Sequence, residues 1–140
     1  MANVRSKFFQ NLRLFRPVTK KIIIIGPDHF SVNQKQISFT DTPWSLSDSQ
    51  ISYDRSFDSS GLTGNNQLLK NDHTIYNFLP DIDKYFPRAT LIPILIGQKI
   101  DIKNLDFLYQ KIKNYCRFDC LLVASVDFSH YLPASLAKVH

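Results

Sequence analysis

Three of the chain's four histidines follow an aspartate by one to three positions, in Asp28-His29, Asp72-His73 and Asp127-Phe128-Ser129-His130. Neutral imidazoles and carboxylates are the donors that hold zinc, iron and copper, and a three-ligand set leaves positions for water, oxygen or substrate. We therefore take His29, His73 and His130 as candidate metal ligands. Asp28, Asp72 or Asp127 would either bind directly or orient a ring through its second nitrogen. Any one of these histidines is as simply a cap or a surface imidazole, but three at loop starts are harder to explain by packing. His140, at the last position, has no assigned role.

Other chemistries fit these residues less well. Asp127, Ser129 and His130 offer an orienter, a nucleophile and a base, but such a relay is assembled from separate loops, and no Gly-x-Ser-x-Gly elbow is present. Gly26-Pro27-Asp28-His29 lacks the further glycines and the Lys-Ser/Thr of a phosphate-cradling loop. Trp44, Phe30 and Tyr131 stand near the candidate loops and could line a pocket for a flat organic ligand.

For the rings to meet, the intervening chain must present them along one rim. Lys21 to Gly26 reads as a strand apolar on both faces, the kind buried in a parallel sheet, and Gly26-Pro27 ends it. Gln36 to Thr40 is a second strand, and Thr42-Pro43-Trp44 opens a polar loop or short edge strand. Residues 52–64 show little periodicity. Asp72 to Phe86 reads as a helix capped by Asn71 or Asp72, with Ile75, Leu79, Ile82 and Phe86 as its buried stripe and Pro80 kinking or splitting it. Thr90 to Ile96 is another strand, and Pro93, which costs one ladder hydrogen bond, predicts an edge position or a bulge. Leu105, Leu108, Ile112 and Tyr115 mark a helix, and Cys120 to Ser125 a third buried strand.

At the start of the chain, Val4, Phe8, Leu12 and Phe15 recur at helical spacing and predict a core-packing helix. Its solvated face would carry Arg5, Lys7, Arg13 and Arg16. This alternation is that of an α/β domain with a mostly parallel sheet flanked by helices. In such sheets ligands bind beyond the carboxyl ends of the strands, which is where His29 and His130 fall, and His73 at a helix start can reach the same crevice.

The 140 residues, 44% hydrophobic and 21% charged, suit a single packed domain. A net charge of +5 with no aromatic platform makes nucleic acid an unlikely partner. The run Ile22 to Ile25 is too short for a membrane span, so a cytoplasmic protein is expected. Cys116 and Cys120 make neither a four-sulfur zinc site nor a disulfide framework; a reducing setting is expected, with Cys120 in the core and Cys116 exposed at a helix end. Pro133 opens a helix that stops before it has a C-cap, so the single domain of residues 1–140 is expected to be incomplete at both termini.

Taken in order, Ile22-Ile23-Ile24-Ile25-Gly26-Pro27-Asp28-His29, Thr42-Pro43-Trp44, Asp72-His73-Thr74, Leu91 to Gly97 and Ser125-Val126-Asp127-Phe128-Ser129-His130-Tyr131 resemble the Memo family across essentially the whole chain. That family includes the AmmeMemoRadiSam system protein B. No single motif is specific, but the ordered set is. The resemblance implies a partial version of the sandwich shared with class III extradiol dioxygenases, which open catechol rings with non-haem iron. It implies a metal-type pocket receiving His29, His73 and His130, iron as the divalent metal, and links to an AMMECR-like protein and a radical SAM enzyme. In an extradiol-type reaction a histidine beside the metal moves protons, and His73, His130 and the neighbouring Asp127 are the candidate catalytic residues.

Three departures from the family pattern bear on this. A His-Ala-Gly-Tyr segment that usually precedes the first helix is not in this sequence, Ser129 stands where animal members have Cys, and Tyr76 stands where a second Glu is usual. These predict a fragment or degenerate copy with weakened metal affinity. The expected function is accordingly dioxygenase-like or redox chemistry on a small substrate, with a catalytically silent module that binds a peptide or protein through the same pocket as the alternative.

Overall fold

Ile22, Ile23 and Ile24 are consecutive and all buried, which is possible only if both faces of their strand are covered, and that requirement organises the molecule. The fold is given by a computed structural model that describes residues 2–30, 32 and 34–126. The chain runs α1 (Ala2–Phe15), β1 (Lys21–Pro27), β2 (Ile37–Phe39), β3 (Trp44–Ser45), β4 (Gln50–Ile51), β5 (Thr63–Gly64) and α2 (Asn66–Asn71). It continues through α3 (His73–Tyr76), α4 (Leu79–Tyr85), β6 (Thr90–Ile96), α5 (Ile102–Tyr115) and β7 (Cys120–Ala124).

Five strands form one sheet in the order β5-β2-β6-β1-β7, and β3 and β4 form a separate antiparallel pair. β1 is parallel to β6 and to β7, whereas β2 runs antiparallel to β6. This is the mostly parallel α/β sheet flanked by helices that the alternation of elements predicts. Ile22 and Ile24 point to one face, where Phe9, Ile75, Leu79, Ile82, Phe86 and Leu91 pack with them. Ile23 points to the other, with Ile92, Ile94, Leu108 and Ile112. The period of two along β1 thus divides its isoleucines between two hydrophobic layers.

Three expectations need correction. Pro93 lies in the middle of the sheet and not at an edge, in continuous register opposite Ile24. Leu91 N–H donates away from β1 to Ser52 O at 2.9 Å, so position 93, two residues on, would direct its N–H to the same side. Pairing with β2 begins only at Ile94, and the bridge to Tyr53 sits at Leu91. The proline therefore falls in the gap between these two partners, where its missing donor breaks no bond.

The second correction concerns α1. Its Val4 and Phe15 are 74% and 81% exposed, while Phe9 is completely buried. The helix docks through the face of Arg5, Phe9 and Leu12, because Phe9 enters a cluster of rings with Phe78 and Phe86 and Arg5 meets Asp81 of α4. The helix anticipated from Asp72 to Phe86 is split, one of the two outcomes that Pro80 predicts, into α3 and α4, with Pro80 in the first turn of α4, where a missing N–H is tolerated.

The third correction is that Cys116 and Cys120 are joined in a disulfide, Cα to Cα 5.2 Å. Cys116 is the C-cap of α5, and the turn closed by Cys120 N–H to Arg117 O folds the chain back within disulfide reach. Cys120 is in the core as anticipated; Cys116 is half-buried. The helix anticipated from Pro133 lies outside the described residues. Among the described residues, no helix is long and apolar enough to cross a membrane.

Phe9→Ala should lower unfolding free energy by about 3 kcal/mol in urea titrations, the usual cost of emptying a buried aromatic site. Phe15→Ala should stay within about 0.5 kcal/mol of the parent. Equal effects would contradict the docking face described here.

Candidate functional site

Near its end β1 passes against α3, and Gly26 is required there. A Cβ at this position would collide with Thr74 Cγ2 of α3, so only glycine lets the helix press against the strand's end. Asp28 N–H donates to Ile96 O at 2.9 Å, and the Asp28 carboxylate accepts from Phe30 N–H at 3.1 Å. Together they fix the turn that carries His29.

The buried carboxylate of Asp72 ties this turn to α3. As the N-cap it accepts Thr74 N–H at 2.9 Å, and its other oxygen accepts His29 N–H at 3.1 Å. Its Oδ1 also lies 3.0 Å from His29 Nδ1. Thr74 Oγ1 lies 2.8 Å from the same nitrogen and donates to Pro27 O. A hydroxyl that spends its proton on Pro27 can only accept from the ring, and a carboxylate can only accept. The network thus assigns the Nδ1–H tautomer to neutral His29 and leaves the lone pair on Nε2.

His73 stacks beside His29 at a centroid distance of 4.0 Å, with the planes inclined by 35°. Its Nδ1 is 3.9 Å from Asp72 Oδ1. One ligand atom from each of His29, Asp72 and His73 falls within 4.8 Å of the others. Two imidazoles and a carboxylate at this separation are a donor set suited to Fe(II) and similar divalent ions. Burial opposes ionisation of Asp72, but the hydrogen bonds from Thr74 and His29 outweigh it and hold its pKa below the ordinary carboxylate value.

A cavity of about 370 Å³ opens over His29 and His73 and is also lined by Arg5, Asn77, Phe78 and Ser125. Of the candidate site residues, the structure brings His29 and His73 together, with Asp72 as the orienting aspartate. Asp127, Ser129, His130, Tyr131 and His140 lie outside the described residues. Trp44 is buried in the core and is not among the described residues that line this cavity. Phe30 is exposed and borders a different cleft, with Val32 and Leu68. Sequence reasoning missed Thr74 and misplaced Arg5. The Asp-x-Thr spacing of an N-cap could have pointed to Thr74, but nothing local links Arg5 to a partner 76 positions away.

The fold and this geometry define an α/β protein with a histidine-lined cavity at the carboxyl end of a mostly parallel sheet. The Memo-like protein family matches residues 1–138, and the chain belongs to that family. It is 25% identical to a MEMO1 family protein of Caldivirga maquilingensis over 122 residues. The match covers 81% of this chain and 43% of that relative, so the chain spans less than half of the relative's length. No solved structure matches the chain.

A carboxylate whose pKa is depressed on folding contributes stability that is fully present above its unfolded value, about 3.9, and lost as pH falls through the lower folded value. The stability difference between the parent and Asp72→Asn should therefore shrink as pH falls from 5 to below about 4. Denaturant titrations across that range would show it, and a constant difference would contradict the assignment.

Proposed function

We propose that His29 and His73 hold a divalent metal, iron by family membership, in a small-substrate pocket. One observation carries this reading. Asp72 and Thr74 fix His29 as the Nδ1–H tautomer, the second-partner arrangement found behind metal-binding histidines. His130 and Asp127 belong to the same proposal as the further ligand and its neighbour. When bound, the metal would supply Lewis acidity and redox capacity for dioxygenase-like or related oxidative chemistry.

The chain's own residues would do the rest. Asp72 keeps the His29 ring from rotating, and Thr74 supports it from the side of Pro27. His73, with a side chain 53% exposed, can exchange a proton with a substrate in the cavity and with solvent beyond it. A cytoplasmic setting is part of this reading. So is partnership with an AMMECR-like protein and a radical SAM enzyme, on family membership alone.

A second reading has its own support. Tyr76, where the family pattern places a carboxylate, is exposed and offers a phenol, a poor ligand for a hard divalent ion and a common anchor for a peptide. It makes the pocket a catalytically silent module for a peptide or partner protein. Capture of a partner unaffected by chelator would favour it.

Anaerobic calorimetric titration with Fe(II), with elemental analysis of the loaded protein, tests the first reading. His29→Ala/His73→Ala should abolish binding, and Asp72→Asn should weaken it about tenfold through loss of ring orientation. Parent and double variant binding Fe(II) equally would sink the metal site.

A further inference from the structure

The cavity over the two histidines holds one permanently charged side chain among its described residues. Arg5 of α1 lines it together with His29 and His73. Its Nε donates to Oδ2 of Asp81, whose side chain is 8% exposed, at 2.5 Å. Among the described residues Arg5 makes no other hydrogen bond.

A guanidinium has five N–H donors, and a carboxylate that neutralises it fully takes two of them in a parallel fork. Here Asp81 takes only the Nε proton. The four N–H groups on the terminal nitrogens are left without a protein acceptor among the described residues, and no described residue lining the cavity is acidic. Asp81 thereby steadies the guanidinium without using the end that recognises planar anions. A flexible, well-hydrated lysine would not present such a fork.

We propose that Arg5 is the anion-recognising residue of this cavity, and that the cavity takes a small organic carboxylate seated on the Arg5 terminal nitrogens with its other end toward His29 and His73. This deepens the reading above and rests on it for the site, though not for the presence of the metal. The volume of about 370 Å³, near the lower limit for small-molecule sites, favours a compact carboxylate over a polypeptide.

The test uses the whole metal-free chain at low ionic strength, with benzoate and its neutral isostere benzamide as probes. Binding is followed by NMR through the Arg5 Nε–H and the ring protons of His29 and His73. The parent should prefer benzoate by about tenfold, the scale of one charge-assisted hydrogen bond. In Arg5→Gln/Asp81→Asn, which leaves no buried charge unpaired, the preference should vanish. Asp81→Asn alone frees the guanidinium from its internal competitor and should keep or raise the preference, while Arg5→Lys should lower it.

A parent that binds both probes equally overturns the proposal, as does loss of the preference in Asp81→Asn. A blocked tetra-aspartate peptide that outcompetes benzoate would overturn the small-molecule assignment. Fe(II) titration without benzoate keeps the two readings apart. Arg5→Gln/Asp81→Asn should bind the metal like the parent, whereas a parent that fails to bind Fe(II) but prefers benzoate overturns only the metal reading.

Discussion

One buried carboxylate joins the sheet to the histidines. Asp72 caps α3, receives the His29 backbone N–H and faces the His29 ring nitrogen, so a single side chain fixes a helix start, a loop and an imidazole. Burying a charge is affordable only when it is paired and hydrogen-bonded, and three N–H groups converge on this one. The loop after β1 cannot move independently of α3, because moving either strands the same carboxylate. Gly26 adds the steric half of the constraint by admitting Thr74 against the strand end.

A second charged pair acts at longer range. Arg5 and Asp81 bring α1 against α4, with Phe9 filling the space beside them, and this fixes which face of an all-round basic and apolar helix turns inward. The cavity thus has one wall set by a hydrogen-bonded turn and another set by an ion pair. The groups that meet there differ in kind: two imidazoles whose tautomers depend on their partners, and a guanidinium whose charge does not change with pH.

The sheet itself was legible because its signal is local. Lys21 to Gly26, Thr90 to Ile96 and Cys120 onward are apolar runs bounded by turn residues, and their alternation with helical spacing is enough for a mostly parallel α/β fold. What failed were inferences about neighbours. Pro93 in isolation points to an edge, and only the positions of Tyr53 and β2 reveal the gap that accommodates it. The stripe of Val4, Phe8 and Phe15 is as periodic as a buried one, yet Phe9 is the residue that finds a ring cluster. Cys116 and Cys120 carry no pairing signal by themselves, and the turn at Arg117 makes the disulfide.

For the site, the residue types in Asp28-His29 and Asp72-His73 identified by themselves a place where imidazoles and carboxylates gather, since their position after a strand and at a helix start is a matter of chain order. Tertiary structure alone decided that Asp72 holds His29, that Thr74 supports the His29 ring, and that Arg5 shares the cavity of His29 and His73. Spacing along a chain determines which elements form and which of their ends carry polar groups. It says nothing about which remote side chain supplies the missing hydrogen-bond partner once water is excluded, because that depends on how the elements pack.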